Sequence, residues 1–560
     1  MDIRNSNHPT FVKKQAQQRR TRVALLISFC SVTLIIAYLI PMVSLYQKFR
    51  AIPSSPESLQ ISTAQAMLAI AKSVPGYYYD LLTDDESTPK LSIHIKFKHM
   101  LKLVNKRQEA LNNGFLTSTD EDFVPALIET ESQSLPVKLR LKGDLTDHLS
   151  GDKWSFRVHA KGDNALFGMT NFSLQAPYTR GYQAEPIFAE LARQCGLLAP
   201  RMFFVDVTIN GDHIGIMNLE EGFAKELLET QQRKASPILK YEESHFWEAV
   251  GLQPQFPQAP FYWADFFNWR LAEIGVFEEK QIVQDPATNA MLQFGGALLN
   301  SLAAEKLPPS AVFDSQLFGL YLAMCETFNA GHMALWNNIR FYLNPFTSKI
   351  EPIIYNSGVL TSGPLLENIS CAGANNEFTA RLFADPIIQD AYAKGLATLG
   401  QALDSPALLS HYEKALAEYE QSVRKDYPWV PHFSLTRFKE NLQRLQQLGL
   451  KNLASRMLPI WGNKDNSKVA HELTYPAVAH YSIQKGRLSE HALEVYNLLS
   501  TPLEVVDLHI NNVGNTAPAS QTNLLSTPLT LPANYWGKQD NRFQSHSHSQ
   551  SIRRLSSLLR

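Results

Sequence analysis

Few features of this chain point to a disulfide framework, a structural metal or a nucleic-acid partner. Its four cysteines, Cys30, Cys195, Cys325 and Cys371, are scattered over 560 residues. None forms a short-spaced pair, so neither a cystine scaffold nor a zinc spacing is present, and buried free thiols are the expected state. Net charge is −1 and only 19% of residues are charged, which excludes a basic surface for nucleic acid. His-Glu-x-x-His, an ordered Ser-His-Asp set and paired carboxylates are all missing, so no hydrolase signature stands out. No internal repeat is visible either. What remains is a chain that is 44% hydrophobic and 10% aromatic, a composition that builds packed globular cores.

One stretch, Val23–Tyr46, contains no charged residue. At roughly 20 residues per crossing it is long enough to span a bilayer. Lys13, Lys14, Arg19, Arg20 and Arg22 precede it, and the positive-inside rule keeps them in the cytoplasm. A cleaved signal peptide competes with this reading, but its apolar region is usually about 7–15 residues and ends at a small-residue site. No such site follows here, so an uncleaved anchor is favoured, with the body beyond Lys48 outside the cytoplasm. Pro41 falls near the far end of the span, where a kink is tolerated.

Beyond the anchor, residues 47–90 read as a stalk in which Ser62–Lys72 can be helical. Leu91–Phe97 alternates as a strand, and an amphipathic helix follows, ending near Asn113-Gly114. Phe123–Glu131 and Pro136–Leu141 read as strands, and Tyr182–Cys195 as an amphipathic helix stopped by Gly196. Met202–Ile209 and His213–Leu219 form a hairpin closed by Asn210-Gly211. Residues 223–310 are helix-like and rich in aromatics, a face that belongs to a core. Asp314–Phe328 is an apolar helix, followed by short strands at Ile339–Leu343 and Ile350–Tyr355. Two long amphipathic helices fill 402–449. Leu503–Ile510 is a lone strand candidate, and the final His- and Ser-rich tail reads as disordered.

The order from Val137 to Gly222 is that of a protein-kinase small lobe: two alternating strands, a third apolar run, a helix and a hairpin. VKLRLKG, KWSFRVHAKG, LFGMTNFSLQAP, EPIFAELARQCGLLAP and FFVDVTINGDHIGIMNLEEGF resemble the CotH-type spore-coat kinase family, over about residues 91–360. The resemblance implies an α+β, bilobal, protein-kinase-like fold with an antiparallel β small lobe and a mainly helical large lobe, to which the apolar run adds an N-terminal transmembrane helix. Together with composition this divides the chain into a cytoplasmic tail (1–22), anchor (23–46), stalk (47–90), small lobe (91–222), large lobe (223–460) and a partly disordered extension (461–560).

A kinase grips phosphate with a strand lysine held by a helix glutamate. Lys153 and Arg157 are the cations best placed for this, with Lys142 and Arg140 as alternatives; Glu185 or Glu190 is the helix partner. Glu220 and Glu221 fall at the interlobe hinge and are weaker picks. In FNAGHMALWNN, His332 and Asn337 have the spacing of a catalytic aspartate and its metal-binding asparagine. Asn356-Ser357-Gly358 stands where kinases carry Asp-x-Gly, so Asn337 and Asn356 are the metal-ligand candidates. The loop carboxylates Asp144, Asp147 and Asp152 are possible substitutes. ATP with Mg²⁺ or Mn²⁺ is the implied cofactor set, although a neutral carboxamide lacks the charge that Mg²⁺ prefers. The expected function is ATP-dependent phosphoryl transfer to Ser or Thr of an envelope or coat protein. The alternative is an inactive pseudokinase that serves as a scaffold or binding module. Nucleic acid is not an expected partner.

Overall fold

The computed structural model describes residues 8–52, 61–83, 88–162, 164–243, 269–270, 272–359 and 377–448, with short strand segments at 477–483, 491–497, 503–505 and 529–531. Most of the aromatic-rich stretch before Trp269, Cys371 and the His-rich tail lie outside these residues. The first helix, α1 (His8–Ala51), contains a segment, Gln17–Ala51, long and apolar enough to cross a membrane. A signal sequence would pass the same test. Most of its apolar side chains from Val23 to Ile40 are exposed. The second helix, α2 (Thr63–Thr83), occupies much of the segment expected to be a stalk. It is not a free spacer. Ala66 and Ile70 pack with Leu45, Phe49, Phe204 and Trp429 in one buried cluster.

Seven strands then close into a barrel: β1 (Lys90–His94), β2 (Val124–Glu129), β3 (Ser134–Leu141), β4 (Phe156–Ala160), β5 (Asn171–Gln175), β6 (Met202–Ile209) and β7 (Asp212–Glu221). Their order is β1-β2-β3-β4-β5-β7-β6. The expected antiparallel sheet is thus corrected to a closed barrel with one parallel seam, β1 beside β6, where Lys90 pairs with Asp206. Strict alternation fills the barrel that this seam closes. Leu135, Val137, Leu139 and Leu141 of β3 and Phe156 and Val158 of β4 fill the interior. Burying each such side chain is worth about 1.5–3 kcal/mol. By the two-residue period, Lys138, Arg140 and Arg157 must then lie on the outer wall. Helix α3 (Phe97–Asn113) follows β1 and ends at Gly114 in the left-handed region, as its sequence predicts. Helix α4 (Ala184–Gln194) precedes the β6–β7 hairpin, whose turn residues Asn210 and Gly211 both have positive φ, at 54° and 93°.

The remainder is mainly helical. It comprises α5 (Lys225–Glu229), α6 (Glu279–Gln284), α7 (Pro286–Ala303), α8 (Pro309–Val312), α9 (Ser315–Thr327), α10 (Glu377–Phe383), α11 (Pro386–Asp404), α12 (Pro406–Arg424) and a last helix over 436–448. Asp314 caps α9 by accepting from the Leu317 N–H at 3.0 Å. Where the sequence reads helix throughout 223–310, the structure inserts two short strands, β8 (Ile238–Tyr241) and β9 (Ile274–Val276). With β10 (Arg340–Asn344) and β11 (Lys349–Ile353) they form a sheet ordered β11-β10-β8-β9. Strands β12 (Ala477–Ile483) and β13 (His491–Asn497) pair with each other. The strand expected to be alone, β14 (Leu503–Val505), pairs with β15 (Leu529–Leu531).

Candidate functional site

The outer wall of the barrel meets the helical body at a buried polar cluster assembled from six separate segments. Lys142 follows β3, and its Nζ lies 2.6 Å from Glu220 Oε1 on β7. The other oxygen, Glu220 Oε2, accepts from Arg180 Nε at 2.9 Å. Arg180 ends a single helical turn, Pro177–Arg180, just before α4. Its Nη1 donates to Asn356 Oδ1 at 3.0 Å. Asn356 Nδ2 donates in turn to Asn338 Oδ1 at 3.1 Å. His332 Nδ1 lies 3.0 Å from the Asn356 carbonyl oxygen, so the tautomer protonated at Nδ1 satisfies that contact. Glu185, in the first turn of α4, accepts from the Ser357 N–H at 2.7 Å and lies 3.9 Å from Arg180. The Tyr355 ring lies under the guanidinium groups of Arg180 and Arg340, at 5.7 and 5.0 Å.

This electrostatic arrangement explains how so many charges are buried together. Burial alone would protonate Glu220, but Lys142 and Arg180 hold its carboxyl well below the usual carboxylate range. Burial also pulls Lys142 below the ordinary amine range, with Glu220 offsetting part of that. Arg180 stays charged because Glu220 and Glu185 outweigh its burial. Burial lowers the His332 pKa, so this imidazole is neutral near pH 7. Asn356 itself has φ 48°, in the left-handed region where asparagine is among the few residues tolerated.

The expected site residues divide accordingly. Lys142, His332 and Asn356 enter this cluster. Arg157 lies on the adjoining wall, in register with Arg140. Lys153, first choice for gripping phosphate, does not join them. Its Nζ is held 2.6 Å from Asp426 Oδ2 and 2.7 Å from the Ile216 carbonyl oxygen, an attachment between the barrel and the turn that follows α12. Glu190 also faces elsewhere, paired with Arg193 and hydrogen-bonded to His411 and Gln194. On α4 it is Glu185 that points inward, and its partner is an arginine, not a lysine. Asn337 offers its backbone oxygen to Arg340 Nη1 at 2.8 Å, while the next residue, Asn338, meets both His332 and Asn356. The His332–Asn337 spacing therefore selects a neighbour of the contacting residue. Arg180 carried no sequence signal, lying in an unremarkable Pro-Tyr-Thr-Arg-Gly turn.

A divalent metal does not fit these residues. The Asn356 side-chain Oδ1, the ligand atom a metal would need, already accepts from a guanidinium, and Asn338 Oδ1 accepts from Asn356 Nδ2. No group of three His, Cys, Asp or Glu side chains converges among the described residues. Hard cations such as Mg²⁺ need anionic oxygen, and Arg180 brings positive charge to that position instead. A polyanion fits better. Arg140 and Arg157 face each other across β3 and β4, a like-charge pair that destabilises a sheet when nothing neutralises it. Burial, reinforced by Arg157, pulls the Arg140 guanidinium down to about 10. Its Nε is buried without a hydrogen-bond partner among the described residues. Arg157, Arg340, Lys142 and Arg140 surround Asp144, whose carboxyl burial pushes up despite them. Phosphate groups would be held by Arg157 and Arg140 and would add to the negative charge that Asp144, Asp120 and Asp122 already bring near Arg140.

Glu185 gives the site a pH dependence. Burial pushes its carboxyl up to about 7, against the pull of Arg180. A folded-state value above the ordinary 4.5 means that its contribution is complete below about 4.5 and is lost as pH rises through about 7. Replacing it by glutamine, which keeps an acceptor for Ser357, is expected to flatten the fall in melting temperature between about pH 5 and about pH 8. The difference should be on the order of 1–3 kcal/mol. Parallel pH profiles for the two proteins would count against this assignment.

Comparison with known proteins bears on the same region. Residues 139–258 match the CotH kinase protein family. The resemblance carried by the strands, helix and hairpin of this stretch is thereby shown. No curated protein matches the chain. Among solved structures, the crystal structure of a Helicobacter pylori proinflammatory kinase, CtkA, is similar at 11% identity, covering 54% of this chain and 91% of that one. Its TM-score is 0.22, too low to carry an argument about this molecule.

Proposed function

We propose that this chain is a membrane-anchored, CotH-like pseudokinase: a bilobal kinase-type fold whose cleft binds a nucleotide or similar polyphosphate without metal-assisted phosphoryl transfer. The family match over residues 139–258 supports a protein-kinase-like function. The observation that carries the inactive reading is the Arg180 guanidinium on Asn356 Oδ1 at 3.0 Å. It puts a fixed protein cation where a kinase needs a carboxylate and an exchangeable one. In this reading Arg140 and Arg157 hold phosphates, and Lys142 is a positioning residue locked to Glu220. In this reading the basic residues early in α1, Lys13, Lys14, Arg19, Arg20 and Arg22, keep the N-terminus in the cytoplasm and the body outside it. There the module would act as a scaffold or binding partner for an envelope protein.

A second reading, phosphoryl transfer to Ser or Thr of an envelope or coat protein, is favoured by one feature. Neutral His332, protonated at Nδ1 toward Asn356, has Nε2 as its acceptor; Asn338 Nδ2 lies 3.3 Å from it, and a hydroxyl that displaced this contact would find a base there. Thermal melts of the detergent-solubilised chain with ATP separate the two. The expected result is a rise in melting temperature of equal size in EDTA, Mg²⁺ or Mn²⁺, lost in Arg157→Ala, with no radiolabel transferred to any acceptor. A shift that requires metal, accompanied by transfer, would establish the kinase reading. No shift at millimolar ATP would exclude both.

A further inference from the structure

Helix α2 is pinned on two sides. Tyr38 of α1 donates its hydroxyl to the Ala71 carbonyl at 2.5 Å, and Tyr78 of α2 donates to the Ala37 carbonyl at 2.5 Å. Both contacts meet α1 at one level, Ala37–Tyr38, so α2 crosses α1 there. A different stripe, Ala66, Ile70 and Val74, is fully buried, and its first two members lie in the cluster with Phe204 and Trp429 of the body. At about 100° per residue, the direction opposite this stripe is occupied by Leu68, Lys72, Pro75 and Tyr79. Leu68 is 56% exposed and Tyr79 66% exposed.

The height of the crossing agrees. Lys48 of α1 reaches Asp426 of the body at 3.0 Å. From Tyr38 to Lys48 is about ten residues, or about 15 Å along the helix, enough to admit one more helix about 10–12 Å in diameter. Helix α2 fills that gap between the body and the level of Tyr38. Counting back roughly 20 residues from Tyr38 reaches Arg19, so a crossing that ends at Tyr38 keeps Arg19, Arg20 and Arg22 at the opposite headgroups.

We infer that α2 lies in the plane of the membrane surface, between the bilayer and the body, with Leu68, Lys72, Pro75 and Tyr79 against lipid. This rests on the reading that α1 spans the bilayer. The partner is the lipid headgroup layer itself. It suits tyrosines, which favour that depth, and a lysine whose stem lies on apolar surface while its amine reaches phosphate. The observation behind this choice is continuity: the exposed face of α2 adjoins the exposed apolar surface of α1, none of which is buried by the protein. The two helices would then fix the height and tilt of the cleft above the membrane, which one flexibly tethered helix could not do.

The test is photo-crosslinking of the full chain in nanodiscs of phosphatidylcholine and phosphatidylglycerol. Benzoylphenylalanine is placed singly at Ile27, Leu68, Tyr79 or Phe97, all of which are exposed, so folding is not at stake. Lipid adducts are expected at Leu68 and Tyr79 with yields approaching that at Ile27, and none at Phe97 on α3. Adducts at Ile27 without any at Leu68 and Tyr79 would overturn the inference and leave the anchor intact. Absence of adducts at Ile27 would overturn the anchor, and the inference with it.

Discussion

Glu220→Ala is expected to be among the most damaging single substitutions in this protein. Glu220 is the one carboxylate within hydrogen-bonding reach of both Lys142 and Arg180 among the described residues, and all three are buried. Removing it leaves Lys142 without its ion-pair partner and Arg180 with Glu185, 3.9 Å away, as its remaining carboxylate neighbour among the described residues. Breaking a buried pair in this way costs about 3–5 kcal/mol, because the desolvation of the survivor is no longer repaid by attraction. Arg180 would also lose one of the contacts that hold it on Asn356, so the effect should extend to the cleft. The expected result is a large fall in melting temperature together with loss of the ATP-induced shift. Glu220→Gln, which keeps the shape and one acceptor oxygen, should fold better yet still lose the shift. A Glu220→Ala protein as stable as the natural one would mean that the cluster is solvated and that its charges are independent.

Much of this architecture is legible in the chain because local chemistry and global fold agree. Asn210-Gly211 between apolar runs can hardly be other than a hairpin, and Asp314 before an apolar periodic stretch announces a helix. The alternation of β3 and β4 foretells which of their cations point outward. The limits of legibility are equally physical. Lys142 and Lys153 bracket the same loop and are both lysines after or before a strand. What separates them is whether Glu220 or Asp426 lies opposite, and Asp426 is far away in sequence. Glu185 and Glu190 share α4 but point to different surroundings, which depends on the angle at which the helix packs. Barrel closure turns on the parallel meeting of β1 and β6, a pairing that no short-range pattern encodes. Strands β8 and β9 are too short for a period to register within an aromatic-rich stretch. The packing of the helix expected around Ser62–Lys72 is hidden for a related reason: Ala66 and Ile70 suit a helix, but nothing local says that Trp429 lies beside them.

Asp426→Ala should match Glu220→Ala in severity, through a different assembly. One carboxylate gathers α1, the barrel and the segment that follows α12. It accepts from Lys48 Nζ at 3.0 Å, Lys153 Nζ at 2.6 Å and the Ile216 N–H at 2.7 Å. The approach is so close that a Cβ on Gly215, whose φ is +87°, would lie 2.3 Å from Asp426 Oδ2. Burial opposes ionisation there, but the two lysines hold the carboxyl well below its ordinary value. A depressed value means that the contribution is present above about pH 4 and disappears only as pH falls through the folded-state value. Alanine forfeits it at neutral pH, at a cost on the order of 3–5 kcal/mol. The lysines should not contribute equally. Lys48 is half exposed, and pairs of that kind contribute about 0–1 kcal/mol, whereas Lys153 is buried with a second bond to the Ile216 carbonyl. Urea titration of the full chain in detergent should therefore rank Asp426→Ala below Lys153→Met, and Lys153→Met below Lys48→Met. If Lys48→Met were the most damaging, α1 would be the principal fastener of the two halves, and the barrel would depend on that helix for its attachment to the segment after α12.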